Sequence, residues 1–316
     1  MYLFEFHPYQ KKFLQPLKTS HGIWDVREGI IISLCDENGE IYWGEIAPID
    51  WFASETIQQA LDFCVQLPRK ITKETIFSIP DKLPACQFGF ESAMLMGNGN
   101  QDSETDSLSY SALLSSGKGA LDQWQTLYSQ GYQTFKWKIG VQPIQEELEI
   151  LTLLTQALPT TTKLRLDANG GLDFLGAIAI LDFCEKINNN PNNNPNNNPE
   201  LPNIEFIEQP LAVEEFPKML QLSQNYQTPI ALDESVANIK QLNTVYKEGW
   251  RGIFVIKPLI AGFPSRIKQF CQENQIDAVF SSVFETSVGR QAALKLAAEL
   301  NFSNRAVGFG VSNFGF

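Results

Sequence analysis

The sequence predicts an α/β protein: a closed (β/α)8-type barrel over residues 101–316, preceded by an α+β unit of antiparallel strands and helices over residues 1–100. Three observations carry that expectation. After residue 107, strand-like and helix-like segments alternate, and eight of them read as strands. Alternation of that kind implies a parallel sheet, and eight such units close it into a barrel. Charged residues end five successive strand segments, on the side where a barrel gathers its active site. A doubly wound open sheet is the competing architecture, and the lack of a GxGxxG after an early strand weakens it.

The elements follow in order. "MYLFEF", "FLQPLKT", "GIIISLCD" and "IYWGEIA" read as short strands, with Asp36–Gly39 as a hairpin turn between the last two. Helical patterns run from Ser54, a candidate N-cap, to about Cys64, and from about Gln87 to Met96. The polar stretch "GNGNQDSETDS", Gly97–Ser107, reads as a linker. The barrel strands are then "LSYSALL", "QTFKWKI", "TKLRLDA", "NIEFIEQ", "PIALDE", "GIFVIKP", "DAVFSS" and "RAVGFG", separated by amphipathic stretches such as Gln145–Gln156 and Arg290–Leu300. One segment stands outside the pattern. "NNNPNNNPNNNP", Asn188–Pro199, offers nothing apolar to bury and is read as a disordered insertion in a loop.

Composition narrows the function. A net charge of -12 argues against a nucleic-acid partner, because phosphate contacts need a basic surface. The longest apolar runs are too short to cross a bilayer, and the first residues do not read as a secretion signal. Five scattered cysteines without CxxC spacing fit a reducing cytosol, with the thiols as small core residues. Only two histidines exist, His7 and His21, so acid–base chemistry falls mainly to other side chains. Any metal is expected to be held by oxygen, which suits magnesium, calcium or manganese.

In "TFKWKIG" alternate side chains share a face, placing Lys136 and Lys138 together and Phe135, Trp137 and Ile139 on the other side. Alone, that pattern fits a strand with one wet face. The following strands change its meaning. "LRLDANGG" puts Arg165, Asp167 and Asn169 on one face, and the next three strands end in Glu208, Asp233 followed by Glu234, and Lys257. Lys138 to Asp167 is 29 residues; Asp167 to Glu208 is 41, or 29 without the 12-residue Asn–Pro tract; the next steps are 25 and 24. A single strand-end acid is ordinarily a surface residue or a helix cap. Three in series, bracketed by lysines, are unfavourable together unless a cation sits among them. Asp167, Glu208 and Asp233 are therefore candidate ligands for Mg2+, with Mn2+ as a substitute, and the partner expected is a small carboxylate whose enediolate the ion stabilises. Lys138 is the candidate base. Nearby positive charge favours a neutral amine, and Lys136 on the same face supplies it. Lys257, from across the barrel, is the candidate second acid–base group or a cation facing the intermediate.

Together these residues resemble the enolase superfamily, which pairs a Lys or His base with Mg2+. "LKTSHGIWDVREGIIISL" and "GEIAP" look like its N-terminal capping domain, and "KWK", "LRLDANGG", "FIEQPL", "ALDES" and "FVIKP" like the barrel motifs of its muconate lactonizing branch. Within that branch, "GEIAPIDWFASET" and "SSVFETSVGR" are similar to the o-succinylbenzoate synthase family. The resemblance implies a cytoplasmic lyase of the menaquinone and phylloquinone pathway that carries out a syn dehydration of a succinylated hydroxycyclohexadiene carboxylate. It implies Lys138 as the base, Lys257 as a cation–π partner, and contacts to the succinyl arm from Ser281, Ser282 and Ile46–Phe52. The nearest rival is a dipeptide epimerase or N-acylamino acid racemase using the same acids and lysine pair. A barrel that has lost catalysis and only binds a metal or small acid is a rival of another class.

Overall fold

A computed structural model describes residues 1–19, 22–96, 105–189, 201–311 and 315. The N-terminal unit is a four-stranded antiparallel sheet of β1 (Tyr2–Thr19), β2 (Gly22–Cys35), β3 (Ile41–Ile46) and β4 (Lys70–Ile71), in the order β3-β2-β1-β4. The two strands expected before residue 20 are one continuous strand. Its register against β2 shifts between Lys12 and Leu17, the interval that contains Pro16, which has no N–H to give the ladder. Asp36 closes the β2–β3 turn by accepting from the N–H groups of Asn38 at 2.9 Å and Glu40 at 3.0 Å.

The first helix spans Ile57–Gln66 and its cap is Thr56, not Ser54. Thr56 and Gln59 satisfy each other's backbone N–H groups in a capping box, while the Ser54 hydroxyl accepts from Ile49 N at 2.7 Å. Helix Pro84–Met96 lies across β3, where Gly44 and Gly89 meet; a Cβ on Gly44 would fall 2.1 Å from the Gly89 carbonyl oxygen. Most of the expected linker, Gly97 to residue 104, lies outside the described residues, and Thr105–Ser107 forms a single 3-10 turn.

Eight parallel strands follow: β5 (Tyr110–Leu113), β6 (Thr134–Lys138), β7 (Lys163–Asp167), β8 (Asn203–Glu208), β9 (Ile230–Leu232), β10 (Ile253–Ile256), β11 (Ala278–Phe280) and β12 (Val307–Gly310). Each falls within one of the eight expected segments. Neighbours pair in sequence order, β12 pairs with β5, and a parallel bridge between Ser281 and Gly308 joins β11 to β12, closing the barrel. Helices such as Ile144–Ala157, Phe174–Asn188 and Ser287–Leu300 pack outside it. Outward strand residues such as Phe135, Trp137 and Ile139 are fully buried under that layer. The Asn–Pro tract from residue 190 onward lies outside the described residues; just before it, Asn188 donates to and accepts from the backbone of Ile204, both at 3.0 Å.

Two buried charged residues fasten the N-terminal unit to the barrel. Arg27 donates to the carbonyl oxygens of Val283, Glu28, Pro48 and Ala47. Glu45 accepts from the N–H groups of Thr286 and Gly289 at 2.9 Å, at the start of the last helix, and from the Thr286 and Tyr9 hydroxyls. Charged hydrogen bonds of this kind contribute about 1.5–3 kcal/mol each. The loops at the top of the last strands are therefore fixed by the other unit. All five cysteines are free and four are buried, as core thiols. Among the described residues no helix is long and apolar enough to cross a membrane.

Candidate active site

Strand register brings the predicted charges to one level. Lys138 pairs laterally with Asp167, Asp167 with Glu208, and Glu208 with Ala231. Asp233 lies two residues past Ala231 and so shares its inward face. On β10, Ile253 and Val255 pack inside the barrel with Phe206, Ala231 and Val279, and Lys257 continues that face beyond the strand end. Lys136, Lys138, Asp167, Asp233 and Lys257 line a cavity of about 300 Å³ at the C-terminal mouth. Glu208 sits behind Lys136 and is 2% exposed.

The contacts are specific. Lys136 Nζ stands 2.7 Å from both Asp167 Oδ2 and Glu208 Oε1. Lys257 Nζ pairs with Asp233 Oδ1. No carboxylate lies within ion-pair distance of Lys138 among the described residues. Burial alone would lower the Lys136 ammonium, but Asp167 and Glu208 hold it above the usual lysine range. Burial and the neighbouring Asp167 push the Glu208 carboxyl up to about 8 despite Lys136. Burial pushes Asp233 up to about 6, against the pull of Lys257. Among the described residues no three acidic, histidine or cysteine side chains stand ready to hold a metal ion; ammonium groups are interposed.

The remaining predicted residues divide by depth. Asn169 and Glu234 line the cavity and bond to each other, Nδ2 to Oε1, at 3.1 Å; the other Glu234 oxygen is buried without a partner. Ser281 and Ser282 also line it, although the Ser282 hydroxyl is committed to Glu285 at 2.8 Å. Arg165 does not reach the cavity. It shares the face of Asp167 but sits one layer down, bonded to Glu205 at 2.6 Å and to the Ala306 carbonyl at 2.7 Å, with Phe206 beneath its guanidinium. Within Ile46–Phe52, the cavity is met by Ile49, Trp51 and Phe52.

Other contributors were not singled out from the sequence. Trp24 and Phe284 complete an aromatic wall, with Trp24 edge-on to Trp51 at 5.0 Å and to Phe284 at 5.7 Å. Gln209, fully buried, accepts from the backbone N–H of Asp233 at 3.0 Å and of Ser235 at 3.2 Å, and donates to Ser235 Oγ at 2.8 Å. It thereby fixes where β9 ends. Its sequence signal was the polar residue between a strand-end acid and a proline in "IEQP".

The profile described as "Enolase C-terminal domain-like" matches residues 119–310, and "MenC, N-terminal domain" matches residues 16–96. The o-succinylbenzoate synthase of Thermosynechococcus vestitus is 37% identical over 97% of this chain and 91% of its own length. The chain belongs to the o-succinylbenzoate synthase family of the enolase superfamily. The crystal structure of the o-succinylbenzoate synthase from Thermosynechococcus elongatus, complexed with Mg in the active site, superposes with a TM-score of 0.87 at 36% identity, covering 98% of this chain and 93% of that one. The L-Ala-D/L-Glu epimerase of Bacillus subtilis shares the fold, with a TM-score of 0.78 at 20% identity over 99% of this chain and 90% of that one.

Proposed function

We propose that this chain catalyses the Mg2+-dependent syn dehydration of 2-succinyl-6-hydroxy-2,4-cyclohexadiene-1-carboxylate to 2-succinylbenzoate, a carbon–oxygen lyase step in the formation of menaquinone or phylloquinone. In a member of this family, one observation carries the reading. Lys138 and Lys257 enter a single cavity from different strands, with three buried acids between them in the strand order.

The donor set fits the ion. Asp167, Glu208 and Asp233 offer only oxygen, and the Lys136 ammonium between two of them stands in for a cation. These three acids would hold Mg2+, with Mn2+ as a substitute; when bound, the ion supplies positive charge that favours proton loss beside a substrate carboxylate. Lys138 takes that proton at Nζ. In a syn elimination the proton and the hydroxide leave from one face, so the same Nζ returns the proton to the departing hydroxide, water forms, and the ring becomes aromatic. Lys257 faces the ring from the other side as a cation–π partner. The aromatic wall limits water near the reacting face. We also propose that residues 1–100 act as the capping domain and 101–316 as the catalytic barrel, with Asn169 and Glu234 supporting the acids, Ser281 and Ser282 near the succinyl arm, and a cytosolic setting matching the free thiols.

The deciding experiment supplies the cyclohexadiene substrate with Mg2+ and follows 2-succinylbenzoate. Product is expected with Mg2+ and none with EDTA. No product alongside deuterium exchange into dipeptides would replace this reading with the epimerase.

Metal binding is also expected to depend on pH. The Glu208 carboxyl, ordinarily near 4.5, is raised to about 8 in the folded chain. A raised folded-state value means the stability lent by this group is present below about pH 4.5 and is lost as pH rises through about 8. Mg2+ competes with that proton, so the rise in melting temperature on adding Mg2+ should grow from about pH 5 to about pH 8. A rise that shrinks over this interval would contradict the assignment of Glu208.

A further inference from the structure

We infer that Phe52 is a positioning residue for this reaction, holding the Lys257 ammonium on its ring face so that it points into the cavity. The inference rests on the catalytic reading above and extends it to the N-terminal unit. Lys257 Nζ lies 4.0 Å from the centroid of the Phe52 ring, and both residues line the cavity. That distance is well inside cation–π range.

Each side of the contact is fixed differently. Lys257 ends an inward-facing row on β10, and Pro258 follows it as the first residue of a short helix, so its backbone is held. Its side chain still has four rotatable bonds, and its ammonium contacts the Asp233 carboxylate and the Phe52 ring, with the Glu234 carboxylate near enough to feel its charge. If Asp233 serves a metal ion, that carboxylate is no longer the ammonium's own. The ring remains a contact that a metal ion does not claim.

The turn that carries Phe52 is pinned. It closes a 3-10 turn over Asp50–Phe52, with its N–H donating to Ile49 O at 2.9 Å. The next residue, Ala53, is left-handed at φ 57°, and the Ser54 hydroxyl holds Ile49 N. Trp51 is braced edge-on by Trp24, and the carbonyls of Ala47 and Pro48 are clamped by Arg27. A flexible lysine thus meets a ring carried on a pinned turn of the other unit of the fold. The role needs an aromatic face and no hydrogen bond, which makes it separable from packing.

The test compares Phe52→Leu with Phe52→Tyr. Phe52→Leu keeps apolar volume and removes the π face; its kcat is expected to fall about tenfold with KM within about twofold, while Phe52→Tyr retains most of the rate. A second readout needs neither substrate nor Mg2+. In 13C-lysine-labelled protein, a lysine Cε–H signal displaced upfield by a ring current is expected, absent in Lys257→Met, moved to the bulk lysine position in Phe52→Leu, and kept in Phe52→Tyr. An unshifted Lys257 signal, an unchanged kcat in Phe52→Leu, a rise in KM alone, or equal damage by tyrosine would each overturn the assignment. Should the wild-type chain fail to form 2-succinylbenzoate, the catalytic reading falls separately, and with it the catalytic part of this one; the resonance would still establish or refute the contact.

Discussion

Lys138→Ala is expected to lower the rate of 2-succinylbenzoate formation by about 10²–10⁴-fold, because a positioned proton-transfer group contributes that much. The structure separates the two lysines of β6. Lys136 is held between Asp167 and Glu208 and kept protonated by them. Lys138 faces the same cavity without a carboxylate partner. A base must shed its proton, and the lysine embedded among acids is the wrong one to do so. Lys138→Arg should be equally inactive, since a guanidinium stays charged and its wider head no longer presents a single nitrogen. Both variants should bind Mg2+ and melt near the parent temperature. Steady-state turnover with melting controls checks this. A loss below about tenfold would place the base elsewhere.

The second large effect concerns the acids. Glu208→Gln preserves shape but removes one charge from the three. Turnover is expected to drop at least about 10²-fold, since the charge stabilisation an ion supplies is worth several kcal/mol. The Mg2+-induced rise in melting temperature should shrink in parallel. The two losses must travel together: a variant that keeps its metal response yet is inactive would indicate that Glu208 acts on the substrate directly. A variant that remains active would remove it from the site.

Much of this arrangement was legible before any coordinates. Strand alternation in "TFKWKIG" and the strand-end positions of Asp167, Glu208, Asp233 and Lys257 are local signals, and a parallel barrel brings strand ends to a shared level at its mouth. The charges needed no knowledge of distant partners to be recognised. What escaped was non-local. Arg165 alternates with Asp167 and looked equivalent in sequence, but depth in the barrel separates a residue at the mouth from one a layer below. Trp24 and Phe284 lie 260 residues apart, and they share a wall because Arg27 clamps Val283 and Glu45 clamps Thr286 on the other unit. The single long β1 escaped because the stretch between the two expected strands, His7–Lys12, contains Pro8, yet the pairing runs on through it with Pro8 opposite Ile30. Ser54 and Thr56 are both plausible caps by type, and the Gln59 side chain decided between them.

The paired bonds between Asn188 and Ile204 have a consequence for the loop between them. They join the last residue of the helix before the Asn–Pro repeat to the foot of β8, the end opposite the one that carries Glu208. Entropy penalises a longer loop only logarithmically, about 0.6 kcal/mol per doubling. Insertions or deletions between those two residues should therefore be tolerated by the barrel at little cost in stability.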